Sequence, residues 1–233
     1  MPAGKEIIER ADGLLSDADH TRWPLAERAD WINEAVRAII LAKPSASSQT
    51  TVIALNAGTL QAIPQTGTPT PLRLIDVVRN IISESPLTGG AAITPVGRNI
   101  LDAQEPHWHD ERYIRQRKAV THVIFDEDNP LQFYVYPGND GTGKIEGIMS
   151  VLPAPLTASG DASSIDSYAG DIGLPEPYSV PVLDYLCYRC LLKDDLHGAP
   201  ARAMNHYQRF AEAVGIKIQV EGATSPNARR GAP

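Results

Sequence analysis

Apolar residues recur at steps of three and four near both ends of this chain, and at steps of two through its middle. Over residues 5–15, Ile7, Ile8, Leu14 and Leu15 share one side of a short helix that Gly13 weakens. Residues 16–22 are a polar link. A longer helix is predicted over 23–42, with Leu25, Ala29, Ile32, Val36 and Ile39 as one stripe. Pro24 suits its first position, where a missing N–H costs nothing. Glu27 and Asp30 come early, and Arg37 and Lys43 late, as the helix dipole prefers. Pro44 stops the helix, and 45–49 is a linker.

The middle follows a different period. Residues 51–55 and 60–63 flank Asn56 and Gly58 and predict a hairpin. Residues 72–82 are apolar enough for either element, and β-branched Val77, Val78, Ile81 and Ile82 favour a strand. A short helix is expected at 97–104. Residues 122–125 and 131–136 predict a second hairpin around 126–130, and 145–152 a further strand. Residues 153–173 are rich in Ala, Ser, Pro, Gly and Asp and read as a loop. Ser179 can cap a helix running to Lys193, with Pro181 in its first turn. Gly198 and Pro200 precede a last helix that Gly215 ends. Ile216, Ile218 and Val220 then alternate with Lys217 and Gln219 as one short strand, before a polar tail.

Helices far apart in sequence that share one apolar pattern pack together. The predicted fold is therefore α+β: a helical bundle of N- and C-terminal helices, an inserted antiparallel β-sandwich or barrel, and an extended C-terminal arm. The divisions fall at 1–48, 49–155, 156–215 and 216–233. The 233 residues and 42% apolar content suffice for a core. The net charge of −7 is spread as −2, −3 and −2 over 1–48, 49–155 and 156–233, so no segment is basic enough to grip phosphates tightly. No stretch approaches the ~20 apolar residues of a membrane span. Residues 1–10 carry Glu6 and Glu9 and are not expected to be a signal peptide. Only two cysteines are present, which fits synthesis in a reducing cytoplasm.

Candidate chemistry is sparse. Gly138-Asn139-Asp140-Gly141-Thr142-Gly143-Lys144 has phosphate-loop spacing up to the lysine, but Ile145 stands where a magnesium-binding hydroxyl belongs. It reads as a glycine-rich hairpin loop. Cys187 and Cys190 form a lone C-x-x-C among leucines, expected as core side chains. His107 and His109 flank Trp108, and His122 is the nearest third imidazole, with no carboxylate at metal-binding spacing. Residues 126–129 lack the glycine and distal glutamate of a calcium loop. No G-x-S-x-G elbow occurs. No catalytic residue, cofactor site or metal site is expected.

Three segments resemble bacteriophage head-to-tail adaptors in chain order: 23–35, beginning Trp23-Pro24-Leu25; 125–137, from Phe125 through Tyr136-Pro137; and 183–189 with 203–215. The likeness is to the tail tubular A-type adaptors of short-tailed phages. It implies a non-enzymatic virion protein at the head–tail junction. It further implies about twelve copies in a closed ring, portal and tail tube or nozzle proteins as partners, and genome DNA passing through the lumen. An acidic chain suits a channel that does not hold DNA. The 153–173 loop and the tail are expected to order on partner surfaces, with Ile216, Ile218, Val220, Arg229 and Arg230 as the docking residues. Two rivals remain. One is a β-domain binding carbohydrate or receptor through exposed, coplanar Trp108, Tyr134 and Tyr136. The other is an enzyme using Lys144 or the Cys187 pair.

Overall fold

A computed structural model describes residues 1–193 and 200–215. The chain is α+β and divides into two compact units. One unit takes residues 1–47 and the described residues from 152 onward, and the other takes 48–151. No helix among the described residues is long and apolar enough to cross a membrane. Residues 216–220 and the tail with Arg229 and Arg230 lie outside the described residues.

The first unit is helical: α1 (Gly4–Leu15), α2 (Leu25–Ala42), α4 (Ser179–Lys193) and α5 (Pro200–Val214). Helix α3 (Arg98–Gln104) belongs to the other unit. Ile7, Ile8, Ile32, Ile39, Leu186 and Phe210 meet in one core, so helices from the two ends of the chain do pack together. Helix α2 starts two residues later than its pattern suggests: Pro24 is the N-cap, and Trp23 is buried before it. Ser179 is not a cap either. A 3-10 turn over Glu176–Tyr178 leads straight into α4, and the Ser179 hydroxyl donates to Glu176 Oε1 at 3.2 Å.

Residues 153–173 correct the expectation of a loop awaiting a partner. Leu156, Tyr168 and Ile172 are at most 4% exposed and belong to the helical core. Asn33 holds the Leu156 backbone from both sides: its Nδ2 donates to the Leu156 carbonyl at 2.9 Å, and its Oδ1 accepts the Leu156 N–H at 2.7 Å. The Gly4 N–H donates to the Gly170 carbonyl at 2.9 Å. A Cβ on Gly4 would come within 2.3 Å of a Leu156 side-chain methyl, so a larger residue here would displace that leucine. Apart from a 3-10 turn over Ile165–Tyr168, the segment is irregular, and scattered apolar residues without a period anchor it.

The polar link over 16–22 is also structured. Arg28 of α2 is 0% exposed. Its guanidinium pairs with Asp12 of α1 and, at 2.6 Å, with Asp17 of the link. It lies 6.0 Å from the Trp23 ring centroid. Burial raises the Asp17 pKa, but N–H bonds from Arg22 and Trp23 and the Arg28 charge outweigh it and leave the carboxyl below its ordinary 3.8.

The second unit holds two four-stranded sheets. One has the order β1 (Ser48–Ala54), β8 (Lys144–Leu152), β3 (Thr70–Glu84), β4 (Leu87–Ala92). The other has the order β2 (Ala57–Ala62), β7 (Gln132–Asp140), β6 (His122–Phe125), β5 (Thr94–Pro95). Ile53, Leu74, Val77 and Ile145 of the first sheet and Val123, Phe133 and Val135 of the second share one core. Strand β1 already begins in the expected linker, after a 3-10 turn over Pro44–Ser47.

Two expected hairpins are absent. β1 and β2 do not pair: β1 joins β8, and β2 joins β7. β7 and β8 likewise lie in different sheets, so the Gly141–Gly143 turn is a crossing between sheets. Turn residues mark where a chain reverses but not which sheet it enters. The β6–β7 hairpin is antiparallel as expected, from His122↔Tyr136 to Phe125↔Phe133. The Gly- and Ala-rich β4 and the two-residue β5 carry too little pattern to be read in advance.

Replacing Arg28 by alanine should destabilise the protein by about 3–5 kcal/mol, because two carboxylates lose their buried partner. Chemical denaturation followed by tryptophan emission measures this. Since the Asp17 pKa is lower folded than unfolded, its stabilisation is complete above 3.8 and is lost as pH falls through the lower folded value. Asp17→Asn should flatten that part of the acid unfolding profile.

Candidate functional site

The glycine-rich turn after β7 is organised inward. Asn139 is 0% exposed, and its Oδ1 accepts the N–H groups of Gly141 and Gly143 at 2.9 and 3.1 Å. Its Nδ2 donates to the carbonyls of Arg117 and Lys118 at 3.0 and 2.8 Å. A phosphate loop needs its amides aimed at the anion at the start of a helix. Here Asn139 consumes two of them, and a strand follows. Lys144 pairs with Glu84. A Cβ on Gly143 would lie 2.3 Å from the Lys118 carbonyl, which explains this glycine by packing.

Cys187 and Cys190 are both fully buried on α4. Burial, with Asp184 adding to it, pushes the Cys187 thiol up to about 12, and burial raises Cys190 as well. Thiols this far above neutral pH are poor nucleophiles and poor metal ligands.

The histidines do not converge. His109 lies 3.6 Å from the Trp108 ring centroid and shares a 2.8 Å hydrogen bond with Thr59. Burial, then the nearby Arg98 charge, lower its pKa below 6.5. His107 stacks on Tyr113, and His122 bonds Thr94 at 2.7 Å. No metal-binding group of three or more His, Cys, Asp or Glu side chains occurs among the described residues. Trp108 is 1% exposed, packs with Leu101 and Ile124, and donates from its indole N–H to Asp102 at 2.8 Å. Its ring stands at 77° to Tyr134. The exposed coplanar platform required for carbohydrate binding is therefore contradicted. These side chains stabilise the underside of a sheet.

An open cavity of about 480 Å³ beside this cluster is lined by Arg98, Asp102, Asp126, Asp128 and Tyr134, among others. Two of its carboxylates are engaged. Asp102 accepts the Trp108 indole, and Asp126 accepts the N–H groups of Asp128 and Asn129 in its own turn. Sequence reasoning missed Arg28 and Asn139, because an arginine inside an amphipathic helix and an asparagine before Asp-Gly both look like surface residues.

The whole-chain comparison decides the family. A model of the SU10 adaptor protein family matches residues 3–230. The chain belongs to that family. A search of curated proteins found no match. Membership supports the phage-adaptor resemblance in its general form, and the tail tubular A-type assignment is narrower than the match carries.

Two measurements check this. Cys187 and Cys190 should resist thiol reagents at neutral pH until denaturant opens the helical unit, so rapid labelling of native protein would contradict their burial. Lys144→Ala should change stability by less than ~0.5 kcal/mol, since its pair with Glu84 is half exposed. Calorimetry should detect no ATP binding by either form.

Proposed function

We propose that this SU10-family protein is a structural adaptor at the head–tail junction, joining portal to tail by surface complementarity and catalysing no reaction. The observation that carries the reading is the family match over residues 3–230. In this reading the helices of the first unit form the base of a bundle, and the two sheets form a sandwich inserted into it. Copies associate head to tail into a ring of about twelve around a lumen that passes genome DNA. The net charge of −7, without a basic block, favours a lining that releases DNA.

The docking arm in this proposal is 216–233. The 153–173 segment is already committed to the helical core, which leaves the C-terminal residues as the candidates for contact with a neighbour. Ile216, Ile218 and Val220 supply an apolar edge, and Arg229 and Arg230 a positive end on an acidic chain. Such a segment gives up conformational entropy on binding and can wrap a large surface.

Electron microscopy of the protein mixed with its portal tests the proposal. A closed ring of about twelve copies is expected. A complex holding one or two copies would refute it.

A further inference from the structure

The two sheets present four edge strands, and these differ in what they offer another chain. β5 has two residues. β2 breaks register between Gly58 and Leu60, and the Gln61 side chain occupies the Asn56 and Gly58 backbone beside it. β4 breaks register twice against β3, and Asn80 Nδ2 takes the Ala91 carbonyl at 3.0 Å. β1 is different. It pairs with β8 at seven consecutive positions, from Ser48↔Ser150 to Ala54↔Lys144, without a break. Its sequence, Ser-Gln-Thr-Thr-Val-Ile-Ala, holds no charge, proline or glycine. Among the described residues no strand covers its outer edge. Proteins ordinarily protect such an edge, because its free N–H and C=O groups template another strand.

The faces of β1 show what would fit. Ile53 points into the core at 2% exposure, and on the same side Thr51 is half-buried and Gln49 exposed. The core face is therefore incompletely covered towards the start of the strand. On the other side, Thr50 is exposed and Val52 half-buried. A matching strand needs apolar residues at every second position on one face and polar residues on the other.

Residues 216–220, Ile-Lys-Ile-Gln-Val, have that alternation and lie outside the described residues. We propose that residues 216–220 of one copy add as a strand to the β1 edge of the next copy. Ile216, Ile218 and Val220 then extend the face of Thr51 and Ile53, while Lys217 and Gln219 share the solvent side with Thr50 and Val52. Main-chain bonds hold the strand, and the alternate side chains set its register. Each copy supplies one arm and one acceptor, so the contact is heterologous and can continue around a ring. Direct β1-to-β1 pairing would be isologous and end at a dimer. The inference rests on the ring reading above and names the surface that its arm uses.

Disulfide trapping in the portal-bound particle tests it with full-length chains. Thr50→Cys or Val52→Cys is mixed with Lys217→Cys or Gln219→Cys, the two partners distinguishable by mass, and the assembled particle is oxidised. Native Cys187 and Cys190 are buried and do not compete. At least one combination should give a covalent pair containing one chain of each kind, and a chain carrying both substitutions should give a ladder of linked copies. Ile218→Asp should weaken assembly at least about tenfold while leaving the thermal melt unchanged. A normal ring with no mixed disulfide in any combination overturns this inference and leaves the adaptor reading standing. So does a doubly substituted chain that closes only on itself, or normal assembly by Ile218→Asp. Absence of any multi-copy particle from the unmodified protein overturns both.

Discussion

The helical unit depends on one buried charge. Arg28 sits at 0% exposure, where an unpaired guanidinium would cost several kcal/mol. It is tolerable only if Asp12 and Asp17 reach it together. That requirement fixes the end of α1 against the first turns of α2. It also shapes the link between them, which folds Asp17 inward and adopts positive φ at Ser16 and His20. Asp17 then accepts the N–H groups of Arg22 and Trp23, placing the Trp23 ring beside the guanidinium. A hydrophobic core tolerates small slips of one helix on another, whereas an ion cluster with directional bonds does so much less.

Buried asparagines play the corresponding part in the second unit. Asn139 gathers the β7–β8 crossing and the Arg117–Lys118 backbone around one amide. Asn80 joins β3 to Val120, donating to its carbonyl at 2.8 Å and accepting its N–H at 2.9 Å. Both secure irregular segments whose backbone groups would otherwise be buried without partners. These two amides hold crossings and turns in place.

That distribution suits a protein that works through its surfaces. The thiols are sealed, the histidines are divided among aromatic and threonine partners, and the glycine turn faces its own asparagine. Among the described residues, β1 keeps a regular, uncharged edge that no strand covers. An edge strand supplies recognition through backbone geometry.

Periodicity in the sequence determined the element types. The stripe from Leu25 to Ile39 could only bury itself as a helix, and β-branched Val77, Val78, Ile81 and Ile82 lie in a strand. The split into terminal helices and a β-rich middle was likewise legible, because periods of 3.6 and 2 are local properties of the chain. Partners were not legible. The turn at 56–58 was compatible with a hairpin, but β1 pairs with β8 and β2 with β7, so the two strands lie in different sheets. Leu156, Tyr168 and Ile172 carried no period, and only the packed helices could give them a place. Arg28 and Asn139 read as surface residues until tertiary contacts supplied their partners. Strand pairing, burial of a lone polar group and anchoring of an irregular segment all depend on groups distant in sequence, so only the tertiary structure could decide them.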